Sequence, residues 1–339
     1  MISFESATSG DKVFSSQVLD IDCAEAAAKA ETAIREAVFK TLHRKGAVVA
    51  MSGGIDSSVV AFLCARALGV ERTLGLFLPE HESSDESLRL GRAAADTLGI
   101  DTETANIGPA LEAMGCYRYR LEAIREVFPD FGDDWKSKIV LPPIGDKGRL
   151  NIFSLVVQPP DGEVRSARLP LEPYLKLVGA TNMKQRTRKL MEYYHADRLN
   201  YAVAGTPNRL EYDQGFFVKG GDGLADFKPI AHLYKTQVYA LAEFLGVPEE
   251  IRRRPPTTDT YSLPQSQEEF YFALPYDKMD LCLWARNHEV PMAEVAKATG
   301  LTERQVEFVY GDIEAKRRTT RYLHMPPVLA EEVPEIESS

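Results

Sequence analysis

From residue 46 onward, short apolar runs alternate with stretches whose apolar positions recur every three or four residues. The runs at 46–51, 73–78 and 101–105 predict strands, and the stretches at 56–69, 84–98 and 108–127 predict helices. An alanine-rich amphipathic stretch over 23–43 predicts a further helix ahead of them. Strands and helices in alternation predict an α/β fold, a doubly wound parallel sheet covered on both faces. Ligands of such sheets sit beyond the carboxyl ends of the strands.

The alternation then stops. Residues 128–149 are rich in Pro, Gly and Asp and read as loop, while 151–170 carry two alternating runs around Pro159-Pro160-Asp161-Gly162, a β-hairpin signal. We read 128–170 as an insertion. The α/β pattern resumes with a helix over 182–195, a strand over 200–204 and a helix over 235–246, and the C-terminal third is helical. Residues 1–22 have few apolar positions and read as a flexible lead-in to a single domain over 23–327, and 328–339 read as an acidic, unstructured tail.

Composition narrows the class. Of 339 residues, 44% are hydrophobic and 27% charged, ordinary for a globular protein, and the net charge of −10 disfavours nucleic acid as a partner. No run approaches the roughly 20 apolar residues of a membrane span, and the first residues lack a signal-peptide layout. Cys23, Cys64, Cys116 and Cys282 lie far apart without a CxxC pair, so reduced thiols in a cytoplasmic enzyme are expected ahead of a disulfide or zinc site.

The chemistry concentrates in "AVVAMSGGIDSSVVAF", residues 47–62. Gly53 and Gly54 allow a tight turn that presents backbone N–H groups to a phosphate, and a helix starting near Asp56 adds its positive end. An acid in an anion site makes sense when a divalent cation bridges it to phosphates. Ser52, Ser57 and Ser58 add hydroxyls, and the Walker A pattern with its lysine is absent. "SGGIDSS" resembles the PP-loop of the N-type ATP pyrophosphatases. That resemblance implies an adenine nucleotide alpha-hydrolase-like (HUP) fold and cleavage of ATP between its α- and β-phosphates.

Residues 201–251, from "YAVAGTPNRLEYDQGFFVKGGDGLADFKPIAHLYKT" to "LGVPEEI", resemble the core of ammonia-dependent NAD synthetases, as do "PPTTD" (255–259) and "NMKQRTR" (182–188). The resemblance spans roughly 25–125 and 175–320. It implies ATP contacts at residues 50–57, including Ser52, Gly53, Gly54, Ile55, Asp56 and Ser57, and at Thr206, Lys235 and Thr257. It further implies Mg²⁺ on Asp56 and Glu211, catalysis by Asp56 and Lys235, and acceptor contacts from Arg186, Lys219, Asp226 and Lys316. The implied reaction adenylates the carboxylate of deamido-NAD and displaces AMP with ammonia, free or delivered by a separate protein. A homodimer with the acceptor across the subunit interface is implied as well.

Other readings stay open at this level. Arg186 and Arg188 could be the wet face of an amphipathic helix, Lys235 a surface lysine, and Glu211 a solvated one. Residues 292–318 have the cadence of a DNA-binding helix-turn-helix, though a packed helical hairpin satisfies the same apolar spacing. Departures from the family gather on the acceptor side: Ala315 where His is usual, Gly220 where Tyr is usual, and the 128–170 insertion. They admit a different carboxylate, such as a sugar acid or specialised metabolite, or more remotely an RNA-modifying PP-loop enzyme.

Overall fold

Val48 and Val49, neighbours on the first strand, enter two different hydrophobic clusters. This period of two is what a strand buried on both faces requires. The computed structural model describes residues 13–141, 153–256, 261–263, 266, 271–272 and 274–335. Within them, α1 (Cys23–Arg35) closes in a π-helical turn (Glu36–Thr41) and leads to β1 (Ala47–Ala50). Next come α2 (Ile55–Leu68), β2 (Thr73–Phe77), α3 (Asp85–Leu98), β3 (Asp101–Thr104), α4 (Gly108–Ala113) and α5 (Cys116–Arg125). The single helix expected over 108–127 is two, because Gly115 takes φ 79° between them. That left-handed conformation suits glycine.

After the short strands β4 (Lys136–Val140), β5 (Ser154–Gln158) and β6 (Arg165–Arg168), the long helix α6 (Leu171–Leu199) returns to the main sheet at β7 (Ala202–Val203). Then follow α7 (Arg209–Gln214), α8 (Lys235–Leu245), α9 (Glu249–Arg253), α10 (Tyr276–Asn287), α11 (Met292–Thr299) and α12 (Glu303–Thr320). The main sheet is parallel with order β3-β2-β1-β7. Val49 and Ala47 pack towards α1, α2 and α8, whereas Val48, Leu74, Leu76 and Val203 pack towards α4, α5 and α6. Both faces are therefore covered, as expected.

Three expectations need correcting. The stretch 128–149 is not all loop: β4 joins the predicted hairpin in an antiparallel sheet of order β4-β5-β6. The helix expected over 182–195 starts at Leu171. Its Pro173 lies in the first turn, where a missing N–H costs nothing. Residues 13–22 are not a loose lead-in, since Phe14 and Leu19 are buried in the cluster around α10, with Phe14 stacked on Trp284. α11 and α12 pack with α10 around Val295, Val306, Val309 and Ile313, the helical-hairpin alternative to a DNA-reading motif. Among the described residues no helix is long and apolar enough to cross a membrane.

Candidate active site

The chain leaves β1 for β2 on one side and later returns to its other side at β7. Loops at the carboxyl ends of two such strands part in opposite directions and open a crevice between them. A cavity of about 740 Å³ lies there, lined by Ala50 to Ser52 and Gly54 to Ser57 after β1 and by Ala204, Thr206 and Pro207 after β7. The first loop is held by its own polar groups. Gly54 N–H donates to Ser52 Oγ (3.3 Å), Ser52 N–H donates to Ser57 Oγ (3.3 Å), and Ser58 Oγ donates to the Gly54 carbonyl (2.9 Å). Gly53 has φ 74°, and a Cβ there would strike the backbone of Ser87 and Gly91 on α3. Gly54 is the N-cap of α2, whose positive end faces this loop.

Asp56, in the first turn of α2, meets two residues from distant parts of the chain. Lys235 Nζ contacts its Oδ2, and Asn208 Nδ2 donates to its Oδ1 at 3.1 Å. Lys235 is fully buried at the start of α8. There Asp280 on α10 accepts from the N–H groups of Lys235 (3.3 Å) and Thr236 (2.7 Å), and the Tyr276 ring lies 5.4 Å from Nζ. Burial opposes the Lys235 ammonium, but the Asp56 and Glu211 carboxylates offset it and hold its pKa above the ordinary value.

Glu211 completes the group. Its N–H donates to Asn208 Oδ1 (3.2 Å), its Oε2 accepts from Asn208 N–H (3.1 Å), and this capping box starts α7. Burial, and then the Asp56 charge, push its carboxyl up to about 8. Two carboxylates crowded in this way call for added positive charge. Among the described residues no group of three or more His, Cys, Asp or Glu is placed to hold a metal. A pair facing a phosphate site still fits Mg²⁺, which commonly takes one or two carboxylates and fills its shell with phosphate oxygens and water.

The other expected residues divide. Arg186, Lys219 and Lys316 line the same cavity. Arg186 Nε donates to the Lys219 carbonyl (3.2 Å), while Lys219 Nζ donates to the carbonyls of Tyr322 (2.8 Å) and Met325 (3.0 Å). Lys316 Nζ pairs with Asp312 (2.7 Å) and lies 4.3 Å from the Tyr271 ring centre. Asp226 is not among the residues that line this cavity. Its carboxylate instead accepts from Val203 N–H (2.7 Å) and Tyr193 Oη (3.1 Å), pinning the outer edge of β7. Thr257 lies outside the described residues.

A family model described as NAD synthase matches residues 26–126 and 161–322. The chain belongs to the NAD synthase family. It is 63% identical over 302 residues to the NH(3)-dependent NAD(+) synthetase of Mesorhizobium japonicum, covering 89% of this chain and 95% of that protein. Against the protein of the same name from Rhizobium meliloti it is 58% identical over 325 residues, covering 96% and 97%. The solved NH3-dependent NAD synthetase from Campylobacter jejuni superposes with a TM-score of 0.60 at 21% identity, over 92% of this chain and all of that one. This last likeness concerns the fold.

Within the family frame, the stretch that the family model passes over, 127–160, contains β4 and β5. Here it forms a wall of the cavity: Leu141 and Phe153 line it, with Phe153 stacked on Tyr174 of α6 at 4.6 Å. Sequence reasoning passed over Asn208, although Asn followed three residues later by Glu is a legible capping signature. It also passed over Asp222 and the buried Lys189–Glu192 pair (2.6 Å), all of which line the cavity. Burial raises the Asp222 and Glu192 carboxyls above their ordinary values. A charged pair at helical spacing has the same sequence signature on a wet face as on a cavity floor.

Proposed function

We propose that this chain is an ammonia-dependent NAD synthetase that uses ATP to amidate deamido-NAD. ATP lies with its phosphates at the loop over 52–55, where the α2 N-terminus and the turn's N–H groups offset their charge. A carboxylate oxygen of deamido-NAD attacks the α-phosphorus, the bond to pyrophosphate breaks, and an acyl-adenylate forms. Ammonia then attacks the acyl carbon, loses a proton and expels AMP, leaving the amide of NAD. Lys235 stabilises charge on the departing pyrophosphate. Mg²⁺, when bound with ATP, screens the phosphates and stabilises the leaving group, and Asp56 and Glu211 are the residues that would hold it. Arg186, Lys219 and Lys316 supply positive charge on the acceptor side of the cavity.

One juxtaposition supports the reading: Asp56, Glu211 and Lys235, 24 to 179 positions apart, line the same cavity as the turn over 52–55 at the switch point of the sheet. The names of the relatives above, NH(3)-dependent NAD(+) synthetases, support ammonia as nitrogen donor and NAD as product. The purified protein, given deamido-NAD, ATP, Mg²⁺ and ammonium, is expected to form NAD, AMP and pyrophosphate in equal amounts. Lys235→Ala is expected to lower kcat by roughly a hundredfold or more. Pyrophosphate release without NAD would refute deamido-NAD as the acceptor.

A homodimer belongs to the same reading. Leu171, Leu175, Leu190 and Tyr194 are exposed on α6, within one half of its circumference. This is a large apolar presentation for a helix that also lines the cavity, and a second copy would cover it. Cys64, Cys116 and Cys282 are buried free thiols, in keeping with a reducing cytoplasm.

A further inference from the structure

We propose that Asn208 is a positioning residue that sets Asp56 and Glu211 relative to one another, so that both can engage one cation on the ATP phosphates. The proposal rests on the assignment of those two carboxylates to Mg²⁺. Asn208 lies after β7, is 1% exposed and touches both acids. Its side-chain orientation is dictated by its neighbours. The Glu211 N–H can only donate, so Oδ1 must face it, which turns Nδ2 towards Asp56. Glu211 Oε2 in turn accepts from the Asn208 backbone. One residue thus fixes the Glu211 carboxylate through the capping box and one oxygen of Asp56 through its amide. The second Asp56 oxygen is left to Lys235.

An N-cap alone does not require asparagine. Aspartate and serine cap helices about as well, because each presents an oxygen to the third N–H of the helix. Neither reproduces the amide donor to Asp56: aspartate replaces it with a like charge, and serine is too short to span both contacts. Asparagine therefore does something here that capping does not explain.

The discriminating variants are Asn208→Ser and Asn208→Asp, compared with wild type in thermal unfolding, in steady-state kinetics and in Mn²⁺ binding. Mn²⁺ binding is followed by electron paramagnetic resonance with a non-hydrolysable ATP analogue. Both variants are expected to stay folded, with Asn208→Ser close to wild type in midpoint. Each should weaken Mn²⁺ binding and raise the half-saturating Mg²⁺ concentration by about tenfold or more, the usual scale for losing a group that orients a metal ligand. Asn208→Asp should suffer more. If folded Asn208→Ser binds Mn²⁺ and turns over like wild type, Asn208 is a helix cap and nothing more. Wild-type Mn²⁺ affinity in Asp56→Asn and Glu211→Gln would remove the metal assignment itself, and this proposal with it.

Discussion

Burial pushes the Asp280 carboxyl up to about 6, although the N–H groups of Thr236 and Lys235 and the Lys235 charge all favour its ionised form. In the unfolded chain the same group titrates near 3.9. Between these values the folded protein holds a proton that the unfolded chain has released. The stabilisation from Asp280 is therefore complete below about pH 4 and is lost as pH rises through 6. Asp280→Asn removes the titration while keeping one acceptor for the α8 N-terminus. From pH 4 to 7 the wild type is expected to lose about 2 to 3 kcal/mol relative to this variant. Denaturant unfolding across that range measures it, and parallel profiles for the two proteins would rule it out. The same carboxylate sits at the root of Lys235, so a stability cost is accepted where the site needs its lysine held.

At the scale of elements, the inserted sheet is fastened to the nucleotide side by buried charge. Lys184 on α6 contacts Glu80 (3.1 Å) and Glu82, Arg120 on α5 pairs with Glu82 (2.7 Å), and Tyr117 Oη donates to Glu80 (2.8 Å). Arg120 also donates to Ser137 on β4 (2.7 Å) and to Ser262 (3.1 Å). The loop after β2 and the insertion thus share one network. Beneath it, Ile139, Leu155 and Val157 pack on Ile124, Phe128 and Leu177. Leu155 is fully buried, and Leu155→Ala is expected to cost about 2 to 5 kcal/mol in equilibrium unfolding. A loss under 1 kcal/mol would mean that the insertion is not part of the folded core. The hairpin around Gly162 was legible because its turn residues and alternation are local. β4 was not, since Lys136–Val140 offers one deeply buried apolar side chain, Ile139, and becomes a strand only by pairing with β5.

For the whole molecule, the proposed homodimer would cover the exposed apolar side chains of α6. If two copies meet there, Leu175→Glu combined with Leu190→Glu should convert a dimer to a monomer, measured by light scattering after size exclusion. A wild-type monomer at micromolar concentration would refute that use of the face. The strand order β3-β2-β1-β7 governs the site at this scale, because it sends the loops after β1 and β7 apart and opens the crevice. In sequence, Ser52–Ser57 and Thr206–Glu211 are only two polar stretches after two apolar runs.

The sequence by itself determined the alternation of strand and helix, the phosphate-binding turn, and the residue types that make an adenylating site plausible. These are properties of periodicity, backbone freedom and spacing, which act over a few residues. Tertiary structure decided which charges meet. It set the Asp226 carboxylate against the edge of β7, brought Asn208 between Asp56 and Glu211, and buried Lys189 and Glu192 in a helix that could have faced water. Whether a charge is solvated or paired depends on burial by elements far away in the chain, and no local pattern encodes that distance.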